Sequence, residues 1–136
     1  MKKKIFIACD TTKLSTINKI IKNTQIKELE IVYKFGLEFF NSKKGRKYIS
    51  KINKNKKVWL DLKLLDIPNT VSAAIYSLSD LRNINYLTIH ASGGFEMMKS
   101  AKKAAKKINE NLKILGVTVL TSFSETSIRN IGHTKS

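Results

Sequence analysis

The chain has 136 residues, with 26 Lys and Arg against 10 Asp and Glu, a net charge of +16, one Cys, one Pro and 42% hydrophobic residues. That length suits one domain spanning 1–136, the apolar fraction suits a packed core rather than disorder, and a lone Cys excludes a disulfide-stapled fold. No apolar run approaches the ~20 residues of a membrane helix, and the stretch after Lys2-Lys3-Lys4 ends at Asp10, short of the roughly 7–15 residues of a secretory h-region, so no membrane partner and a cytoplasmic location are expected.

Five short runs rich in β-branched residues alternate with amphipathic segments. The first strand is predicted over 4–9 (KIFIAC), with Asp10-Thr11-Thr12 supplying capping side chains for a helix over about 13–23. A second strand over 29–35 (LEIVYKF) precedes a helix over 41–54. A third over 57–62 (KVWLDL) precedes a helix over 69–82, with Pro68 at its opening, where a missing N–H costs nothing. The fourth strand, 86–90 (YLTIH), leads to a helix over 95–109. There Met97, Ala101, Ala104, Ala105 and Ile108 share one face, and Lys99, Lys102, Lys103, Lys106 and Lys107 cover the other as a solvated surface. The fifth strand is predicted over 112–120 (LKILGVTVL). Runs such as Val58-Trp59-Leu60 are apolar on successive residues, as in strands covered on both faces. The pattern is α/β with a parallel sheet, either a βα barrel or a doubly wound sheet.

The positive charge does not by itself mark a nucleic-acid site. The excess is 23 Lys against 3 Arg, in a chain that also holds 17 Ile and 11 Asn, a combination that an AT-rich coding sequence enriches. Readers of bases favour Arg for bidentate contacts. Nucleic acid is therefore not expected as a partner.

More informative are the polar residues where strands end. Of four Asp residues, Asp10 follows the first strand, and Asp61 and Asp66 lie at the third. Lys34 ends the second, His90 the fourth and Thr121-Ser122 the fifth. In parallel βα folds ligands collect at the C-terminal rim of the sheet. Residues two apart in a strand share a face, so Asp61 and Lys63 project together, with Lys34 available from the neighbouring strand. Buried ion pairs seldom recover their desolvation, so interleaved Asp and Lys at a strand end point to function. His90 is expected to hydrogen-bond near its loop rather than act as base or metal ligand, since no second His or carboxylate has ligand spacing to it; His133 lies in a polar tail. Cys9 and Trp59 are expected to pack in their strands, and Gly93-Gly94 is weak evidence for a phosphate loop.

These segments resemble the orotidine 5′-phosphate decarboxylase family. Asp61-Leu62-Lys63 followed by Asp66-Ile67-Pro68-Asn69-Thr70 is similar to its signature, and His90-Ala91-Ser92-Gly93-Gly94, Val117-Thr118-Val119-Leu120-Thr121-Ser122, Tyr33-Lys34-Phe35-Gly36-Leu37-Glu38 and Ala8-Cys9-Asp10 resemble its other strand ends. The resemblance implies a TIM (β/α)8 barrel acting as a homodimer, which converts orotidine monophosphate to uridine monophosphate without cofactor or metal. It implies catalytic roles for Lys34, Asp61, Lys63 and Asp66, with Lys63 the proton donor and Asp66 reaching into the partner subunit's site. It implies that Asp10 and Lys34 hold the ribose, that Asp66, Ile67 and Thr70 frame the site, and that Thr121 contacts the nucleotide.

The chain departs from that family in extent. Five strands with four to five helices are predicted, where a full barrel has eight strands. The family's phosphate-gripping Arg, its closing-loop Gln and its Gly-Arg pair have no counterpart, and Arg46, Arg82 and Arg129 match none of them. A truncated chain with exposed strand edges, poor solubility and weak turnover is expected, with a missing C-terminal half as a conceivable partner. Two other readings compete: a metal-dependent sugar-phosphate decarboxylase or aldolase sharing the Asp-x-Lys-x-x-Asp core but lacking Ile67-Pro68-Asn69-Thr70, and a non-catalytic basic fragment binding polyanions.

Overall fold

The computed structural model describes residues 2–52, 55–81 and 83–132. Five strands alternate with six α-helices: β1 (Lys3–Ala8), α1 (Leu14–Asn23), β2 (Leu29–Gly36), α2 (Leu37–Asn41), α3 (Gly45–Lys51), β3 (Lys57–Leu64), α4 (Pro68–Tyr76), β4 (Ile84–His90), α5 (Gly94–Ile108), β5 (Lys113–Val117) and α6 (Glu125–Asn130). Every pairing is parallel and the order is β1-β2-β3-β4-β5. A doubly wound sheet reverses its strand order at a switch point, whereas a barrel adds strands in sequence. The sequential order therefore resolves the choice in favour of the barrel type.

One sheet face carries the core. Tyr33, Phe35, Val58, Leu60, Leu62, Leu87 and Ile89 pack against Ile17, Ile49, Val71, Ile75, Met97 and Ala101 from the helices. Each fully buried Leu, Ile or Phe contributes about 1.5–3 kcal/mol relative to exposure. Alternation sends the neighbouring residues to the opposite, inner face. There Phe6 meets Trp59 and Tyr86 edge-on, with ring centroids 5.4 and 5.3 Å apart. Nearer the strands' N-terminal ends, Lys4 and Lys57 pair with Glu30 at 3.0 and 2.8 Å, and Lys4 Nζ donates to the Tyr86 hydroxyl at 2.7 Å.

Several local expectations are corrected. The helix expected over 41–54 is two short helices, α2 starting directly after β2 and α3 starting at Gly45. A side chain at 45 would overlap the Phe39 carbonyl, so glycine permits the close turn between them. The helix expected to 82 ends at Tyr76. Asp10-Thr11-Thr12 does not cap α1: its N-cap is Lys13, with no side-chain cap, although Thr11 Oγ1 accepts from the Lys13 amide at 3.2 Å. β5 stops at Val117 rather than residue 120, so Thr121 lies in a turn beyond the sheet. Pro68 opens α4 as expected, and Ser124 caps α6 by accepting from the Ser127 amide. Among the described residues no helix is long and apolar enough to cross a membrane.

Candidate functional site

The first three strands deliver the charged residues to one rim. The Cys9 amide donates to the Lys34 carbonyl at 2.9 Å, carrying the β1–β2 ladder one residue past β1 and setting Asp10 beside Lys34. Lys34 Nζ lies 3.2 Å from Asp10 Oδ1 and 3.7 Å from Asp61 Oδ2. Lys63 Nζ lies 2.8 Å from the same Asp61 oxygen. The result is a continuous chain, Asp10–Lys34–Asp61–Lys63, with alternating sign and no net charge. Lys34 and Asp61 sit inside their strands rather than at the last residue.

Burial grades along this chain. The Asp61 side chain is 12% exposed, Lys34 20%, Lys63 32% and Asp10 63%. Burial pushes the Asp61 carboxyl up, but the hydrogen bonds from Lys63 and Thr88 and the charges of Lys63 and Lys34 outweigh it and hold the group below its ordinary value. Beside it, Cys9 is fully buried, and its thiol is pushed up to about 11 by burial and by the Asp10 carboxylate, against the opposing charge of Lys34. That thiol is an inert packing group.

The backbone at the centre is irregular. β3 and β4 pair Leu60 with Leu87 and then Leu64 with Ile89, so Asp61, Leu62 and Lys63 face Thr88 alone. Lys63 has φ 47°, in the left-handed region that side chains other than glycine's avoid. Its amide donates to Thr88 Oγ1 at 2.9 Å, and the Thr88 hydroxyl donates to Asp61 Oδ1 at 2.9 Å. Bulges of this kind occur beside active sites, where they re-aim a side chain. Thr88 was missed in the sequence. The one available signal is a polar residue between Leu87 and Ile89, on the same face of β4 as His90.

The remaining candidates stand apart from the ion-pair chain. Asp66 is exposed beyond β3, its Oδ1 accepting from the Ile67 amide at 2.7 Å. Ile67, at the N-cap of α4, is 66% exposed, and Thr70 and Thr121 are exposed. His90 makes no side-chain hydrogen bond among the described residues, contrary to expectation, and Gly94 has φ 80°, a turn requirement that accounts for the glycine. Arg46 pairs with Asp80 at 2.6 Å and Arg129 with Glu125 at 3.6 Å, while Arg82 and His133 lie outside the described residues. Among the described residues no three His, Cys, Asp or Glu side chains are grouped to hold a metal ion. Chemically, the array offers an accessible ammonium, Lys63, as a proton donor, with the Asp61 carboxylate and then the Lys34 ammonium preformed beside it.

Sequentially ordered parallel strands, with a carboxylate–ammonium array at their C-terminal rim, define a βα-barrel protein equipped for acid–base and electrostatic chemistry. The chain belongs to the orotidine 5′-phosphate decarboxylase / HUMPS family, whose model matches residues 3–136. The orotidine 5′-phosphate decarboxylase of Fusobacterium nucleatum is 41% identical over 130 residues, covering 95% of this chain and 53% of the relative. The crystal structure of the Lactobacillus acidophilus decarboxylase superposes with a TM-score of 0.80 at 34% identity, over 99% of this chain and 61% of that one. The Methanocaldococcus jannaschii decarboxylase, solved in complex with the inhibitor BMP, gives 0.68 at 26% identity, over 85% of this chain and 52% of that one. The chain spans about half the length of the curated relatives it matches.

Proposed function

We propose that the protein carrying this sequence decarboxylates orotidine 5′-monophosphate to uridine 5′-monophosphate. The observation that carries the reading is the Lys34–Asp61–Lys63 array at the strand rim of a chain in this family. Loss of carbon dioxide breaks a carbon–carbon bond and leaves its electron pair on a ring carbon with no ordinary sink. Preorganised positive charge stabilises such a centre. Lys63 supplies that charge and then its proton to the carbon, and solvent reprotonates the amine. Asp61 holds the Lys63 ammonium in place and faces the substrate carboxylate.

In the same reading Asp10 and Lys34 bind the ribose, Asp66, Ile67 and Thr70 frame the site, and Thr121 contacts the nucleotide. That the M. jannaschii relative was solved with the inhibitor BMP supports a small ligand for a chain of this fold. The exposed position of Asp66 supports its use by a second subunit, making the active form a homodimer. The array itself supplies the charge the reaction needs, so no cofactor or metal is invoked. The single buried Cys9 thiol supports a reducing, cytoplasmic setting.

The test is release of labelled carbon dioxide from carboxyl-labelled orotidine 5′-monophosphate, with and without a magnesium chelator. Turnover that survives the chelator and disappears in Lys63→Ala, while uridine 5′-monophosphate binding persists, supports the reading. Turnover retained in Lys63→Ala, or none from the unsubstituted protein, overturns it. Magnesium-dependent turnover of a sugar phosphate, with none of orotidine 5′-monophosphate, favours the metal-dependent chemistry instead.

A further inference from the structure

The irregular stretch of β3 raises a question of hydrogen-bond accounting. In a regular parallel ladder the amides of an inner strand donate alternately to carbonyls of the neighbour on either side. Asp61, Leu62 and Lys63 are set against Thr88 outside the regular register, and the Lys63 amide donates to a side chain there, Thr88 Oγ1, at 2.9 Å. A buried amide without an acceptor costs about 1–3 kcal/mol. Thr88, itself 2% exposed, is placed where water does not substitute for it.

We propose that Thr88 is a positioning residue for the charged array: its one hydroxyl oxygen supplies the acceptor for the Lys63 amide and at the same time orients the Asp61 carboxylate. The direction of both bonds is forced. An amide only donates and an ionised carboxylate only accepts, so the hydroxyl proton points to Asp61 and an oxygen lone pair to Lys63. The bonds run in series, each polarising the other. Thr88 thereby holds the Lys63 backbone in its left-handed conformation and sets the angle at which Asp61 meets the Lys63 ammonium. The groups facing Asp61 are Lys34 from β2, Lys63 on β3 and Thr88 from β4, with Asp10 beyond Lys34 and His90 farther along the same face of β4.

A role in packing alone makes the opposite prediction about substitutions. Valine matches threonine in shape and favours strands, whereas serine leaves a methyl-sized gap. If Thr88 only fills space, Thr88→Val is the benign change. If the hydroxyl positions the array, Thr88→Ser is.

The experiment compares the unsubstituted chain, Thr88→Val and Thr88→Ser by three readouts: carbon-13 titration of the Asp61 carboxyl, hydrogen exchange of the Lys63 amide, and decarboxylation kinetics. The expected result is that Thr88→Val raises the Asp61 titration midpoint, speeds Lys63 exchange about tenfold or more, and lowers kcat by about a hundredfold with little change in KM. Thr88→Ser restores all three towards the unsubstituted values. A Thr88→Val chain that titrates and exchanges like the unsubstituted one, or a Thr88→Ser chain that behaves like Thr88→Val, overturns the proposal. Should Thr88→Val not fold, rapid exchange of the Lys63 amide in the unsubstituted chain overturns it, and slow exchange together with rescue by serine supports it. Only the kinetic readout rests on the decarboxylase reading. If the unsubstituted protein releases no carbon dioxide, that reading fails while titration and exchange still decide the role of Thr88.

Discussion

Lys34 and Lys63 address the same oxygen of Asp61, at 3.7 and 2.8 Å, from two adjacent strands. Two ammonium groups held this close repel one another unless the carboxylate between them stays ionised. Asp61 is therefore both a member of the array and the condition for its geometry.

The first prediction concerns acid. The Asp61 carboxyl titrates below its ordinary value of 3.8 in the folded chain. A depressed folded value means that its contribution to stability is fully present above 3.8 and is lost as the pH falls through the lower folded value. Urea unfolding of the unsubstituted chain and of Asp61→Asn should therefore differ most above pH 3.8, with the difference shrinking as the pH falls below it. A difference that grows on acidification contradicts the assignment.

The second concerns strain at Lys63. A non-glycine residue at φ 47° pays for a conformation that glycine adopts freely. Lys63→Gly and Lys63→Ala both remove the ammonium, so comparing them isolates the backbone. Lys63→Gly should be the more stable of the two by about 1 kcal/mol, measured by urea denaturation, and both should lack turnover. Equal stability would mean that the bulge is relaxed without glycine.

The third concerns Cys9. A fully buried thiol with its pKa pushed up to about 11 is shielded both from solvent and from ionisation. Ellman's reagent at pH 8 should leave it untouched in the native chain and label it at once in guanidinium. Fast labelling of the native chain would show that the start of the first loop opens readily.

The fourth concerns Asp66. If it completes the site of a second subunit, Lys63→Ala and Asp66→Ala chains are each inactive alone, and mixing them assembles sites with both residues intact. Recovery of decarboxylation on mixing, in step with dimer formation by sedimentation, is the expected result. Mixed dimers that form but recover no decarboxylation would place Asp66 in its own subunit's site.

Much of the site was legible because strand alternation is a strong constraint. Asp61 and Lys63 are two residues apart, so they had to share a face, and parallel pairing brought Lys34 to the next strand. The strand order was not legible: evenly spaced apolar runs suit a barrel and a doubly wound sheet alike, and the observed pairing decides between them. What could not be read was tertiary. The sequence Asp61-Leu62-Lys63-Leu64 looks like an unbroken strand, and nothing local records that β4 offers only Thr88 across from its first three residues. Gly45 likewise reads as a tolerated helical glycine until the Phe39 carbonyl is seen against it. In 118–120 the apolar pattern continued past the last residue for which β4 supplied a partner, His90 opposite Val117.

The strand order has a consequence for how the chain is made. Lys3 pairs with Leu29, Val58 with Ile84 and Tyr86 with Lys113, each pair about 26 residues apart. Every strand after β1 finds its partner already synthesised, one βα unit upstream. Emerging from a ribosome, the sheet can grow by accretion, each new unit docking on the edge left by the one before. The Asp10–Lys34–Asp61–Lys63 chain is then complete as soon as the third unit docks, and the hydroxyl of Thr88 joins it with the fourth.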